Sequence, residues 1–234
     1  MELSEFIKRI SFKDIQPYTP VDASNINNTV LEMDNTIFPE DDLMLKKYLE
    51  PVCLEVPRMS TLVMAGIINK AVAAMKDEER FVNVGVWNGF SFLSGLVNNG
   101  NKKCIGIDNF SSFGGPREAF MKRFHSYRSD QHEFYDMGYE EYFHSIHKGP
   151  IGFYFYDGPH DYVNQLKGLE IAEPFFSEGS IIMVDDTNWN EPKQATLDFM
   201  KQRKDQYEII LQQNTHYNNH PTFWNGIIIL KKIN

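Results

Sequence analysis

Three aspartates in the second half of the chain follow apolar runs. Asp157 ends the run GFYFY, and Asp185 with Asp186 follows SIIMV. If these runs are adjacent parallel strands, all three carboxylates leave the same carboxyl edge of the sheet, where open α/β proteins bind ligands. Carboxylates sharing one cleft repel each other and have raised pKa values unless a cation neutralises them, and oxygen donors of this kind suit Mg²⁺ or Ca²⁺. Any one of the three alone reads as a helix cap or a solvated turn residue; the three together favour a divalent metal. His160 stands three residues after Asp157. With an unperturbed pKa of about 6.5 it can take a hydroxyl proton at neutral pH, the alternative being a turn histidine at a helix start.

A second constellation lies upstream in FVNVGVWNGFSF, residues 81–92. Here a strand-like run ends at Gly85, and Gly89 follows before a helix; glycines at such points allow a tight turn and the close approach of a ligand to the backbone. The next run, CIGID, ends in Asp108. An acid at that strand tip, about twenty residues on, can accept hydrogen bonds from both ribose hydroxyls of a nucleoside. The fingerprint G-x-G-x-x-G, which sets a helix N-terminus against a pyrophosphate, is absent. A nucleoside without phosphates therefore fits better than a dinucleotide.

These residues need a scaffold with several strand tips on one edge. From residue 60 the segment TLVMAGIINKAVAAMKDEE has helical spacing, with Ser60 or Thr61 as cap. Then come FVNVGV, a helix from about Ser91, KCIGID, a helix around Arg117 to Phe124, HEFYDM, GFYFYDG, a helix around Asp161 to Ala172, SIIMVDD and a helix of about Glu191 to Lys204. Such alternation implies βαβ units around a mostly parallel sheet. The final runs, YEIILQQN and FWNGIIILKK, are separated by a loop too short for a crossover helix and predict an antiparallel pair. Residues 1–58 read as an irregular, partly helical extension to a domain spanning 59–234. Tyr18-Thr19-Pro20, the stretch from Asn25 to Asn28 and Pro39 interrupt its periodicity.

In the order VNVGVWNGFS, CIGID, YDGPHDY and MVDDTN, the chain resembles class I S-adenosylmethionine-dependent methyltransferases, above all the branch with the catechol and macrocin O-methyltransferases. The resemblance spans roughly residues 60 to 230. It implies a Rossmann-like, doubly wound, three-layer α/β/α fold with a seven-stranded sheet and an antiparallel last strand. S-adenosylmethionine would lie across the first two strand tips, with Gly85, Gly89 and Ser91 in the donor loop and Asp108 on the ribose. Asp136 matches the adenine region; an exposed turn aspartate is the alternative. Asn83 stands where many members carry an acid, and could hydrogen-bond the donor's amino group. Asp157 borders the donor and, with Asp185 and Asp186, matches the metal ligands, Asn188 being their neighbour. His160 takes the place of the base, and Pro159 that of a second acid found in some sugar-modifying members.

Composition bounds the rest. The 234 residues carry 42% hydrophobic and 24% charged residues, a soluble globular balance, and a net charge of −9, which works against a nucleic-acid partner. No long apolar stretch marks a membrane span and MELSEFIKRI is not a signal peptide, so the expected address is cytoplasmic. Cys53 and Cys104 show no metal or redox spacing and read as buried thiols. His216 and His220 fall in a polar loop, a simpler reading than zinc. Trp87, Trp189 and Trp224 could border an acceptor pocket, although aromatics are more often core. The expectation is methyl transfer to a hydroxyl of a small molecule, a sugar or a phenol, assisted by Mg²⁺, with a homo-oligomer open. An NAD(P)-dependent oxidoreductase and a nonenzymatic donor-binding protein of the same fold are the competing functions.

Overall fold

The structure, a computed structural model, describes residues 2–13 and 26–233, with the side chains from residue 29 onward in the second span. The turn signal Tyr18-Thr19-Pro20 and Asn25 lie outside the described residues.

The chain opens with α1 (Leu3–Arg9), β1 (Ser11–Phe12), α2 (Ile26–Asn35), β2 (Thr36–Ile37) and α3 (Leu43–Glu55). It continues with α4 (Leu62–Ala74), β3 (Arg80–Val84), α5 (Phe90–Leu96), β4 (Lys103–Asp108), α6 (Arg117–Tyr127) and β5 (His132–Asp136). Next come α7 (Tyr139–Ser145), β6 (Ile151–Tyr156), α8 (Tyr162–Ala172) and β7 (Phe176–Val184), and the end is α9 (Asn190–Gln202), β8 (Tyr207–Gln213) and β9 (Ile227–Lys232).

The seven-stranded sheet has the order β5-β4-β3-β6-β7-β9-β8. Its β3–β4, β3–β6, β4–β5 and β6–β7 pairs are parallel, while β9 runs antiparallel to both β7 and β8. Crossover helices cover both faces, so the central strands have no solvent side: every residue of β6 is buried. This is the expected doubly wound α/β fold, with the reversed strand inserted beside the parallel set. Order reverses between β3 and β6, so the crevice at their carboxyl ends is the topological switch point.

One face packs Phe81, Phe153 and Phe155 under α4 and α5, Phe92 of α5 meeting Phe81, and the Phe81 and Phe153 rings stacking at 4.8 Å. The other packs Val82, Val84, Tyr154 and Tyr156 under α7, α8 and α9. Helix α4 starts at Thr61, whose hydroxyl accepts from the Met64 N–H at 3.4 Å, and α8 at Asp161, whose carboxylate accepts from the Asn164 N–H at 3.1 Å.

The N-terminal segment is more regular than its sequence suggests. Ten of the thirteen residues of α4 are buried, because the helix lies between the sheet and α1 and α3. A helix apolar on all sides needs that second cover. The cover is fastened by a fully buried ion pair, Arg58 Nη2 to Glu32 Oε2 at 2.7 Å, and the same carboxylate accepts the Leu62 N–H at 2.6 Å. Both cysteines are buried and free, and burial pushes the Cys53 thiol up to about 12. Among the described residues no helix is long and apolar enough to cross a membrane.

Candidate active site

A cavity of about 1080 Å³ opens at the carboxyl ends of β3, β4, β6 and β7, large enough for a nucleoside donor and an acceptor together. Gly85, Ser91, Asp108, Asp157, His160, Asp185 and Asp186 line it. Residues from four separate stretches of sequence thus meet at one rim, because parallel strands deliver their carboxyl ends to the same side.

The glycine loop is pressed against the acid cluster. Gly85 has φ +80°, and a Cβ there would lie 1.9 Å from the carbonyl oxygen of Asp157. The Asp157 N–H donates to the Val84 carbonyl at 2.9 Å, which closes the contact between the two strand ends. Gly89, with φ +100°, precedes α5; a Cβ there would meet Phe120 at 2.9 Å. Gly89 does not line the cavity: it lets α5 close onto α6 behind the loop.

Asp108 shapes the loop as well as facing the cavity. Its Oδ2 accepts from the Val86 and Trp87 N–H groups at 2.8 and 2.7 Å, and its Oδ1 from the Phe110 N–H at 2.7 Å. A carboxylate has about four acceptor positions, so roughly one remains for a ribose hydroxyl rather than the pair expected. The loop is held in return: the Trp87 indole donates to the Phe113 carbonyl at 3.0 Å.

Asn83 and Asp136 are not among the lining residues. Asn83 is fully buried in the middle of the sheet, and its amide donates to the Val84 and Gly85 carbonyls at 3.2 and 3.0 Å, so it braces the glycine turn from behind. Asp136 pairs with Arg117 at the surface, while its neighbours Met137 and Gly138 form the wall.

At the other end of the cavity, His160 Nε2 lies 3.4 Å from Asp157 Oδ1 and 3.4 Å from Asp186 Oδ2. The turn that carries it is fixed by Tyr156, whose hydroxyl donates to the Pro159 and Asn164 carbonyls at 3.2 and 3.1 Å. Asp186 adopts φ 58°, an uncommon backbone for a residue with a side chain, and its Oδ1 accepts from the Asn225 amide at 2.8 Å. Asp185 is 3% exposed, and its Oδ1 has no hydrogen-bond partner.

Charge and burial act together on these groups. Burial raises the Asp157 carboxyl to about 6 against the pull of His160. Burial, then the charges of Asp186 and Asp157, raise Asp185 well above the usual carboxylate range, and burial raises Asp186. For His160 burial opposes the charged form, but contact with Asp157 and the charge of Asp186 outweigh it and the pKa is raised. Three acids that resist ionisation, two of them against one imidazole, form a site short of positive charge.

The oxygen set and the partnerless Asp185 oxygen have the chemistry of a hard divalent cation. Their present spacing is not that of a closed metal centre. Among the described residues no group of three or more His, Cys, Asp or Glu is arranged to hold a metal ion, and His160 stands between two of the acids.

Beside Trp224, which the sequence suggests for a pocket, the rest of the wall includes residues that give no sequence signal. Ser60 and Met59 reach the wall from the N-terminal side; Asn218, Asn219, Trp224 and Asn225 come from the β8–β9 loop. Asn188 ties that loop down, exchanging hydrogen bonds with Thr215 at 2.7 and 3.0 Å, and does not line the cavity. His220 is buried in this loop against the Thr222 hydroxyl, and burial lowers it to about 4. Trp87, Trp189 and Trp224 all line the cavity.

Residues 82–187 match the family model described as a methyltransferase domain. No curated protein sequence matches the chain. Among solved structures, the O-methyltransferase from Bacillus cereus in complex with SAH aligns with a TM-score of 0.57 at 15% identity, over 83% of this chain and 92% of that one. An SAH-bound methyltransferase from Podospora anserina aligns with a TM-score of 0.60 at 13% identity, over 95% of this chain and 100% of that one. At such identities the likeness is one of fold. The family match runs from the glycine loop through Asp108 and Asp157 to the Asp185-Asp186 pair, and the sheet around these strand ends has the Rossmann-like fold of the methyltransferases it aligns with.

Proposed function

We propose that the chain moves the methyl group of S-adenosylmethionine to a hydroxyl oxygen of a small molecule, a sugar or a phenol, and that His160 receives the hydroxyl proton. The observation that carries this reading is the position of His160, 3.4 Å from both Asp157 and Asp186 in the wall that also holds Gly85 and Asp108.

Transfer is an in-line displacement. The acceptor oxygen forms a bond to the methyl carbon, the carbon–sulfur bond breaks with its electron pair left on sulfur, and the proton passes to the His160 imidazole. No covalent enzyme intermediate is needed, and the main tasks of the protein are orientation and proton acceptance. Gly85, Ser91 and Asp108 would hold the donor. Trp87 and Asn88 occupy the turn where a dinucleotide site would place a further glycine against the pyrophosphate, which favours S-adenosylmethionine over NAD(P).

His160 needs to be neutral to accept a proton. Its pKa is held up by the Asp157 and Asp186 carboxylates, so positive charge brought among them lowers it toward the working range. The sulfonium of the donor has that effect. A divalent cation such as Mg²⁺ suits the oxygen set; Asp157, Asp185 and Asp186 would hold it, and it would supply a charge that makes an acceptor hydroxyl more acidic.

The test is a transfer assay with methyl-labelled S-adenosylmethionine against a panel of sugar and phenol acceptors, with Mg²⁺ or with EDTA. Label on an acceptor oxygen, diminished by EDTA, is the expected result. Unchanged transfer in EDTA contradicts the cation. Tight donor binding with no transfer to any acceptor favours a nonenzymatic donor-binding protein.

A further inference from the structure

The cavity has a one-sided charge. Among the described residues eight of its lining side chains are carboxylic acids, and no lysine or arginine lines it. Some of the acids are engaged: Asp108 by backbone N–H groups, Asp161 as the cap of α8, and Glu140 by Lys167 at 2.5 Å. Glu141 and Glu191 are exposed at the rim and take no ion pair or hydrogen bond among the described residues. Deeper in the same wall, the buried Asp185 oxygen also lacks a partner. S-adenosylmethionine carries a single net positive charge and a cation would be held by Asp157, Asp185 and Asp186, which leaves the rim carboxylates Glu141 and Glu191 unopposed.

Glu191 lies in the first turn of α9, two residues after Trp189. The Trp189 side chain is 44% exposed, and its ring meets that of His160 edge-on at 6.0 Å. A carboxylate, a partly exposed indole and the proton-accepting imidazole therefore line the same cavity, the indole in contact with the imidazole. An indole face and a carboxylate together suit an ammonium group. A cleft lined by one sign of charge also concentrates cations and repels anions over its whole mouth.

We infer that the acceptor carries an ammonium group beside its reactive hydroxyl, the ammonium seated between Glu191 and Trp189 and the hydroxyl turned toward His160. Acceptors bearing phosphate or carboxylate are turned away by the same field. This inference rests on the methyl-transfer reading of the site.

The probes are three catechols whose tails end in an amine, an alcohol or a carboxylate, and the matching trio of hexoses, each titrated by calorimetry into the SAH-loaded protein. In at least one trio the amine binds about fivefold tighter than the alcohol, the scale of one exposed ion pair, and the carboxylate binds weakest. Added salt narrows the spread, and Glu191→Gln brings amine and alcohol within about twofold. Equal affinities, the reverse order, no binding by any probe, or an amine preference that survives Glu191→Gln overturns the inference. Ordered binding without methylation of any probe instead contradicts the proposed reaction and leaves the charge preference standing.

Discussion

Gly85 and Asp157 are in backbone contact: a Cβ on the glycine would stand 1.9 Å from the aspartate's carbonyl oxygen and 2.6 Å from its carbonyl carbon. The glycine loop and the acid cluster are thus joined through the backbone, where β3 and β6 end side by side. Only a residue without a side chain lets the two strand ends close to this distance.

Replacing that glycine gives the first prediction. Gly85→Ala meets both the backbone of Asp157 and the cost of φ +80°, so we expect a loss of about 3 kcal/mol or more together with loss of SAH binding. Gly179→Ala is the control, with φ +83° and nothing within 4 Å of the added carbon. It should cost about 1 kcal/mol and leave binding intact. Urea denaturation and an SAH titration of the two variants provide the check.

His160→Gln keeps a polar side chain of similar reach but cannot take the proton. We expect kcat to fall about a hundredfold or more, with the SAH dissociation constant within about twofold of the parent. A comparable loss of donor affinity would assign His160 to the donor pocket instead.

The acid cluster also sets a pH dependence of stability. Asp157 titrates at about 6 in the folded chain against 3.8 as the ordinary value, so folding becomes less favourable as pH rises through that interval. Asp185, raised further, extends the effect in the same direction. His160 is also raised; its contribution is complete below the ordinary histidine value of 6.5 and is lost as pH climbs past its folded value. All three slopes have one sign. In EDTA the melting temperature should fall from about pH 5 to about pH 8, and Mg²⁺ should restore more of it at the higher pH. A melting temperature that rises over this range would contradict the assignment.

The N-terminal cover should depend on its buried ion pair. Glu32→Leu leaves the Arg58 guanidinium without its carboxylate and the Leu62 N–H without an acceptor, at an expected cost of about 3–5 kcal/mol. Pairing it with Arg58→Met should recover much of that loss, because both charges leave together. Denaturation midpoints of the single and double variants decide it.

Much of this was legible in the chain. The central strands announce themselves because burial on both faces demands unbroken apolar runs, and each run that reaches the site stops at a glycine or an aspartate. The short β8–β9 connection likewise fixed the antiparallel end. Helix α7 was missed because YEEYFHS, seven residues, spans too few turns to show a period. The N-terminal helices were obscured by Pro39 and Pro51 and by a pattern that makes sense only once α4 needs covering. The Asn225 amide on Asp186 joins residues 39 apart, and such a pairing leaves no mark in local spacing. Position in the chain points Asn83 at the donor, whereas strand alternation turns its side chain away from the cavity and under the glycine turn.

The most direct test is a crystal structure of the protein with SAH and Mg²⁺. The account predicts the ribose against Asp108, the sulfur directed at the edge formed by Asp157 and His160, and a cation bonded to Asp157, Asp185 and Asp186. SAH bound away from the β3 and β4 strand ends, or with its sulfur facing away from His160, would contradict it.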